Sequence, residues 1–336
     1  MSAATRLRTA AAVALTTLLT VGAAALLTGC DPENGPTPLP TGAAPAPETT
    51  RAPAASPSGT PSGTPAVNGT AGTRLTISNG TDHVLMNGTS VDFGIVVRDL
   101  AWSPDGRKAA FISGSGDLVT ANPDGSGRVV VARNPGGETW SHPTWQVASA
   151  HPDNGLPAKD NIFFAAAKGG VSRLKGIAAT GTGGTPHVLS LGTESGENSP
   201  ALPQTGNTWP SGGGDYGTAA YANSDTGEVF IRDEYLRQQG SALTRGSQPA
   251  LSPAGDDLVF VRSVDGHDHI FEGGAGERPV RDLTPTATTD YTEPAWSPDG
   301  RTLALRAPDG IWTMPADGSA APVRVSSYTG LPAYRG

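Results

Sequence analysis

Short runs of alternating apolar and polar residues, separated by turn residues, recur from about residue 73 to the C-terminus. Residues 302–306 alternate in this way, which is typical of a half-buried β-strand. Further apolar runs follow at 311–314 and 323–325, each after an Asp-Gly pair. Glycine accepts positive φ and the Asp side chain can accept backbone N–H groups, so these pairs favour tight turns. The pattern predicts units of four short strands, and no comparable amphipathic helical stretch appears beyond residue 30.

The four-strand unit is repeated along the chain. Residues 293–301 and 100–107 are nearly identical copies, and 248–255 is a third, less regular copy. Weaker copies stand at 142–145, 199–202 and 331–334. Aligned on their bulky residue, the copies lie about 40 to 57 residues apart, which indicates a repeat architecture. Four short strands per repeat are typical of a propeller blade.

The repeats resemble those of the TolB-type β-propeller, whose blades carry a P-x-W-S-P-D-G pattern before the second strand. The match covers about residues 73–336 and is strongest at 102–107 and 296–301. The resemblance implies a binding module. TolB-type proteins of Gram-negative bacteria engage a peptidoglycan-associated lipoprotein and help maintain the envelope. This chain departs from that pattern because it carries its own lipidation motif and shows no separate N-terminal α/β domain.

The number of blades depends on how the two ends of the repeat region are paired. Five repeats begin within the chain, and residues 331–334 begin a sixth that lacks its remaining strands. Residues 74–78, 83–86 and 90–93 are predicted strands that would complete it. We therefore predict an all-β, six-bladed propeller whose sixth blade is closed by N- and C-terminal strands, which removes exposed sheet edges. The alternative is an open five-blade array with a frayed tail.

The first 72 residues are not part of the predicted propeller. Residues 1–29 carry two arginines and then an apolar stretch, as a secretory signal does, and they end in Leu27-Thr28-Gly29-Cys30. This ending resembles the bacterial lipobox, which implies lipidation of Cys30, the only cysteine of the chain. Two or more acyl chains would give a stable membrane anchor. The alternatives are an ordinary signal peptide or an N-terminal transmembrane anchor.

Composition distinguishes a linker from the propeller. The net charge, in addition, argues against nucleic acid as a partner. Residues 30–72 hold about ten prolines and almost no large apolar residue, so they cannot bury a core and are predicted to be a disordered linker. Removing residues 1–29 leaves 21 Lys and Arg against 31 Asp and Glu, a net charge of −10. That charge repels phosphate backbones, so no nucleic-acid partner is expected.

The search for catalytic or metal-binding motifs points away from an enzyme. The chain has no Gly-x-Ser-x-Gly elbow and no βαβ segment to carry one. The aspartates of the repeated Pro-Asp-Gly segments, Asp105, Asp124 and Asp299, are interpreted as turn residues, because chemistry needs one site whereas every blade needs its turn. His267 and His269 could meet one metal from the same face of a strand, but a solvated turn is the preferred interpretation. No catalytic residue, metal or cofactor is predicted.

Two positions remain as candidate binding sites. The first is a ring at the entry to each first strand, three places before the bulky residue, where the first strands of a propeller line the central channel. Its polar members are Asp99, His142, Ser199, Gln248 and Glu293, and Leu331 takes the sixth place. Such a ring could bind a peptide, a sugar or a cation through convergent polar groups, or could be a set of solvated loop ends.

The second candidate position is on the opposite face. Residues 146–160 and 204–217 form long first turns in blades two and three, and the latter contains Trp209 and Tyr216 among glycines. Long loops often bind partners and aromatic residues are favoured as interface anchors, although loop padding is the alternative interpretation.

The sequence thus predicts a lipid-anchored extracytoplasmic protein, expected to be monomeric, whose propeller binds an envelope protein or a cell-wall component without catalysis. The alternatives are a ligand-sensing accessory of an envelope signalling system and a carbohydrate-active enzyme that uses the channel mouth.

Overall fold

Short strands, most of them paired antiparallel, form most of the described part of the chain. The computed structural model describes residues 68–336, apart from 195, 197, 234–238 and 274–278. Cys30 and the rest of residues 1–67 lie outside the described residues. Strands dominate what is described, with one short 3₁₀ helix at Pro152–Asn154. The predicted all-β class is confirmed.

The strands group into six sheets, of which five have four strands and the third blade's sheet has a fifth, short strand that pairs in parallel at its outer edge. The N-terminal strands are β1 (Leu75–Ser78), β2 (His83–Met86) and β3 (Thr89–Asp92). Blade one contains β4 (Arg98–Trp102), β5 (Ala109–Ile112), β6 (Leu118–Ala121) and β7 (Val129–Ala132). Blade two contains β8 (Thr139–Ala148), β9 (Lys159–Lys168), β10 (Val171–Ala178) and β11 (His187–Val188).

Blade three is preceded by β12 (Thr193–Glu194) and contains β13 (Asn207–Gly213), β14 (Thr218–Asn223), β15 (Glu228–Arg232) and β16 (Gln239–Arg245). Blade four contains β17 (Ser247–Leu251), β18 (Leu258–Val264), β19 (His267–Glu272) and β20 (Arg281–Asp282). Blade five contains β21 (Thr292–Trp296), β22 (Thr302–Ala307), β23 (Gly310–Pro315) and β24 (Val323–Ser326), and β25 (Leu331–Tyr334) ends the chain.

The chain ends close the ring as predicted. The last strand β25 pairs antiparallel with β1 from Leu75 opposite Tyr334 to Ser78 opposite Leu331, so the sixth sheet has the order β25-β1-β2-β3. Each blade's first strand contacts the first strand of the next blade, and β25 contacts both β21 and β4. The predicted six-bladed β-propeller is therefore confirmed, and the open five-blade alternative is wrong.

The Pro-Asp-Gly aspartates belong to turns. Ser297 Oγ donates to Asp299 Oδ1 at 2.6 Å, and the N–H of Arg301 donates to the same oxygen at 3.1 Å. The hydroxyl of Ser103 and the N–H of Arg107 make the same two bonds to Asp105. These hydrogen bonds, with the side-chain bond first, lower the pKa of both carboxyls because they favour the charged form. The interpretation of these residues as turn residues is confirmed.

The apolar core lies between blades. Among the described residues, each of the six interfaces between neighbouring blades holds one buried apolar cluster. The cluster between blades one and two includes Trp140, which is 1% exposed and donates from Nε1 to Glu138 Oε2 at 2.7 Å. Lys175 Nζ lies 2.7 Å from the same oxygen, and its side chain is 15% exposed. A largely buried ion pair thus borders this interface.

The third blade begins later in the chain than the repeat alignment predicts. Residues 199–202 form a connection, in which Ala201 makes an isolated bridge to Thr193, and the first strand of the blade is β13. The expected bulky position of this strand is Gly212. A Cβ there would overlap the carbonyl oxygen of Trp145 in blade two, so only glycine lets the two strands pack this closely. Because Gly212 stands where the other repeats have a bulky residue, the repeat alignment does not recognise β13 as the first strand of blade three.

His267 and His269 lie in a strand, so the preferred interpretation as a solvated turn is wrong. The turn falls at Asp265-Gly266, and β19 starts at His267. His269 is 4% exposed and its Nδ1 lies 2.9 Å from Asp282 Oδ2. His267 Nδ1 instead lies 3.3 Å from Asp290 Oδ1. The two imidazoles therefore contact different carboxylates.

The described residues before the first strand pack against the propeller. Asn68 forms an isolated bridge with Ser326 in blade five. Thr70 is fully buried, and its hydroxyl oxygen accepts a hydrogen bond from the N–H of Gly88 at 2.8 Å. These contacts extend the ordered unit a few residues into the segment that composition assigns to the linker.

Candidate functional site

A repeated backbone irregularity sets the position of the predicted ring. In the first strands of blades one to five, the pairing with the second strand skips two residues, which is a β-bulge. The first residue of each bulge has a positive φ of 49° to 55°, and these residues are Asp99, His142, Trp209, Gln248 and Glu293. Leu331 takes the sixth position in β25, which pairs regularly with β1.

Five non-glycine residues thus occupy a conformation that favours glycine. Positive φ costs an L-residue about 1–2 kcal/mol, so glycine or asparagine would be the cheaper choice at a purely structural bulge. Strained positions of this kind cluster where a side chain is needed. We name these five residues, together with Leu331, the channel ring.

The channel ring agrees with the sequence prediction at four polar positions and differs at one. Asp99, His142, Gln248 and Glu293 are members, as predicted. Ser199 is not a member, because it lies in the connection before blade three. Trp209 takes its place, so the assignment of Trp209 to a loop on the opposite face is wrong. The X-Pro pair of the ring positions at 142–143, 248–249 and 293–294 recurs both at Ser199-Pro200 and at Trp209-Pro210, so this signal in the sequence does not distinguish the two positions.

Two ring side chains fasten neighbouring blades together. Asp99 Oδ2 accepts a hydrogen bond from the N–H of His142 at 3.1 Å. Gln248 Oε1 accepts one from the N–H of Glu293 at 2.7 Å. Each bond joins one ring residue to the backbone of the next, so the ring is held in place by contacts between blades.

The carboxylate of Glu293 is partly neutralised from outside the channel. Arg306 Nη1 lies 3.0 Å and 3.1 Å from its two carboxylate oxygens. Burial raises the pKa of Glu293 above its ordinary value, Arg306 partly offsets this, and the charge of Asp99 raises it further. Asp99 and Glu293 occupy the ring positions on the two sides of Leu331.

His142 and Trp209 form an aromatic pair on the other side of the ring. Their ring centroids are 3.5 Å apart at an interplanar angle of 38°. Burial lowers the pKa of His142, and the nearby charge of Asp99 only partly offsets this effect. The surroundings of the imidazole thus favour its neutral form.

A cavity of about 520 Å³ lies between the first strands of all six blades. Among the described residues that line it, the aromatic ones are Trp102, Trp145, Trp209, Trp296 and Tyr334. The carboxylic acids and the histidine of this lining are Asp99, Asp215, Glu293 and His142, and none of the described lining residues is a lysine or an arginine. The cavity is thus aromatic and acidic.

Three indoles of this lining are fixed by hydrogen bonds to the preceding blade. The Nε1–H groups of Trp145 and Trp296 donate to the carbonyls of Ala101 and Ala250, at 3.2 Å and 2.9 Å. That of Trp102 donates to Thr76 Oγ1 at 3.0 Å. With their N–H groups engaged, these side chains offer ring atoms to the channel. The repeat alignment used them as markers but did not identify them as lining residues.

Tyr216 lies at the other end of blade three's first strand from Trp209. It occupies the turn between β13 and β14, its side chain is 45% exposed, and its ring centroid lies 4.6 Å from that of His151. His151 comes from the long turn between β8 and β9, and the sequence analysis did not identify it. A binding role for Tyr216 on this opposite face stays a prediction.

Within the described ranges, one cluster has metal-ligand spacing, and it is not at the channel ring. Asp82, His83 and Asp92 are all exposed and bring one potential ligand atom each within 4.8 Å of one another. His83 Nδ1 lies 2.7 Å from Asp82 Oδ1, so an ion pair within the protein accounts for two of the three groups. The side-chain hydrogen bond between the two residues raises the pKa of His83.

Among known proteins, solved structures resemble this chain, whereas family models and curated sequences do not. No protein-family model matches the chain, and no curated protein sequence matches it significantly. Among solved structures, TolB from Acinetobacter baumannii matches with a TM-score of 0.54 and 17% identity over 78% of this chain and 65% of that protein. A putative TolB from Agrobacterium tumefaciens matches with a TM-score of 0.53 and 19% identity over 76% of this chain and 89% of that one.

The chain has a TolB-like six-bladed propeller fold. A chain of the nidogen/laminin complex is also similar, with a TM-score of 0.51, 13% identity and coverage of 78% of this chain and 97% of that one. At identities this low, the structural similarity establishes the propeller fold of this chain and does not identify a binding partner. No helix within the described residues is long and apolar enough to cross a bilayer.

Proposed function

We propose that the protein is a lipid-anchored, extracytoplasmic binding protein whose TolB-like propeller holds an envelope protein or cell-wall component at the channel ring. The observation that carries this proposal is the cavity of about 520 Å³, to which all six blades contribute. Clefts of this size with aromatic walls and a few convergent polar groups are typical binding sites. The similar propeller of the nidogen/laminin structure comes from a protein–protein complex, which supports the use of this architecture in binding.

The described geometry favours binding over catalysis. Catalysis by a general base needs that base within hydrogen-bond reach of a nucleophile or a reacting proton. His142 instead stacks on the indole of Trp209, and Glu293 is engaged by Arg306. The hydroxyls of Thr144 and Ser211, which lie in the same strands, accept hydrogen bonds from the N–H groups of Gly212 and Leu251. These polar groups already have structural partners.

The site is tested by capture of partners from detergent-solubilised envelope with the full-length protein. Trp209→Ala is expected to reduce the amount of captured partner at least tenfold, because a half-buried indole is removed from the ring. Tyr216→Ala is the matched aromatic control at the other end of the strand and should leave capture unchanged. The reverse result would move the binding face to Tyr216. If neither substitution changes any captured partner, both sites are refuted.

Lipid anchoring is tested at Cys30. Mass spectrometry of the N-terminal peptide of the native protein should show a cysteine that carries acyl chains. Cys30→Ser should release the protein from the membrane fraction or leave it unprocessed, because the thioether can no longer form. A processed Cys30→Ser protein that remains in the membrane fraction would refute lipidation as the anchor, and an unmodified Cys30 in an uncleaved native protein would favour a transmembrane anchor.

A further inference from the structure

The walls of the channel ring define which chemical group can enter it, provided that the ring is the binding site proposed above. Two carboxylates, Asp99 and Glu293, stand at its entrance on the two sides of Leu331. On the other side of Asp99 lies the pair of His142 and Trp209. Acidic and aromatic surfaces are therefore contiguous over three consecutive blades.

Asp99 is the carboxylate available to a ligand. Glu293 already pairs with Arg306 through both of its oxygens. Asp99 accepts the N–H of His142 through Oδ2, and no hydrogen bond joins Oδ1 to any of the described residues. Because no lysine or arginine is among the described lining residues, the charge of Asp99 is not compensated within the cavity. A ligand that covered Asp99 without pairing with it would bear the cost of desolvating an ion.

Trp209 supplies the complementary aromatic surface. Its indole is half-buried at the ring, and one face of it is covered by His142. Cations bind to the faces of tryptophan, and guanidinium groups combine such stacking with hydrogen bonds to carboxylates. An anion would be repelled by Asp99 and Glu293, and a neutral sugar would leave Asp99 unpaired.

We propose that the channel ring binds the cationic side chain of a basic residue, arginine or lysine, which the partner protein inserts into the channel so that it contacts both Asp99 and Trp209. Asp99 accepts the hydrogen bonds of the guanidinium or ammonium group. Trp209 packs against the flat face of the guanidinium of arginine, or against the methylene groups of lysine. The net negative charge of the propeller chain attracts a basic segment during the encounter. Recognition of the partner then depends on the basic residue that enters the cavity.

The test measures binding of short peptides to the full-length protein in detergent by calorimetry. The probes are acetyl-Gly-Arg-Gly-amide, its lysine counterpart, and its citrulline counterpart, which has the shape of arginine without the charge. We expect the arginine or lysine peptide to bind at least tenfold more tightly than the citrulline peptide. The difference should shrink when the salt concentration rises from 50 to 500 mM, since salt screens charges.

Two variants with a matched control assign the effect to the ring. Asp99→Asn should weaken binding of the basic peptide about tenfold, while its amide oxygen can still accept the N–H of His142. Trp209→Leu should weaken it severalfold. Asp265→Asn is the control, because Asp265 is an exposed hairpin residue with nearly the same positive φ, 51° against 55°. Melting temperatures of all variants verify that they are folded. If a variant fails to fold, the comparison of the arginine and citrulline peptides on the unchanged protein still tests the inference.

Three outcomes would overturn the inference. They are no binding of either basic peptide at millimolar concentration, equal binding of the citrulline peptide, and an unchanged affinity in Asp99→Asn. A neutral oligosaccharide that binds equally to the unchanged protein and to Asp99→Asn would identify a sugar site instead. If Trp209→Ala abolishes partner capture while Asp99→Asn and the basic peptides have no effect on it, the cation inference fails but the proposed binding function stands.

Discussion

Deletion of residues 331–336 is expected to lower the melting temperature markedly or to cause aggregation. These residues supply β25, the innermost strand of the sixth blade, which pairs with β1 over four residue positions. Thr76 Oγ1 donates to the carbonyl of Ala333 at 2.9 Å, and the Arg335 guanidinium lies 5.5 Å from the centre of the Trp102 ring. Without β25, Leu75 and Ile77, each 1% exposed, would lie on an unpaired sheet edge.

The expected size of this effect follows from the contacts that are lost. The deletion removes the half-buried Tyr334 together with the pairing of β25 with β1. A fully buried aromatic side chain typically contributes about 3–5 kcal/mol, and net stabilities are only about 5–15 kcal/mol, so the combined loss should be a large part of the total. Thermal unfolding followed by circular dichroism measures the change. The control is Arg107→Ala, whose side chain is 85% exposed and which should melt like the unchanged protein. Arg335→Ala is unsuitable as a control because Arg335 also donates to the carbonyl of Gly106. A truncated protein with an unchanged melting temperature would contradict closure by β25.

Glu138→Ala is expected to destabilise the propeller by about 3 kcal/mol, at the lower end of the range for breaking a buried ion pair. The substitution leaves the Lys175 ammonium, 15% exposed, without its carboxylate. It also leaves the buried Nε1–H of Trp140 without its acceptor. Both groups lose a partner at the interface between blades one and two, where water cannot fully replace it. Denaturant unfolding measures the loss.

The exposed pair of Asp309 and Arg324 provides a matched control. Asp309 also combines an ion pair with a hydrogen bond from an indole, that of Trp312 at 2.9 Å, but its side chain is 50% exposed. Asp309→Ala should therefore cost less than about 1 kcal/mol. Equal losses for the two variants would show that the burial of Glu138 is not what makes its ion pair important.

The pH dependence of the Glu138 contribution has a definite sign. Burial raises the pKa of Glu138, but the hydrogen bonds from Lys175 and Trp140 and the charges of Lys175 and Lys168 together outweigh burial, and the pKa in the folded protein is below the ordinary 4.5. A lowered native pKa stabilises the protein above the unfolded value, and this stabilisation is lost as the pH falls through the native value. The stability difference between the unchanged protein and Glu138→Ala should therefore shrink as the pH decreases below about 4.5.

The sequence by itself determined the blade pattern, because the signals that specify it are local. The alternation at 302–306 defines a strand, and the Ser297 and Asp299 side chains accept hydrogen bonds from the backbone N–H groups of Thr302 and Arg301 at their own turn. Closure of the ring followed from an incomplete unit at each end of the repeat region. The lipobox and the linker are also local signals, and Cys30 stays a prediction because it lies outside the described residues.

Tertiary structure alone decided the start of blade three and, with it, the composition of the channel ring. The sequence contains two segments, 199–202 and 209–212, that resemble a first strand. The choice between them depends on packing with blade two, where Gly212 lies against the carbonyl of Trp145 and a larger residue would not fit. The same packing brings Trp209 onto His142. Contacts between residues that are tens of positions apart set this register, and a repeat pattern read along one strand does not contain them.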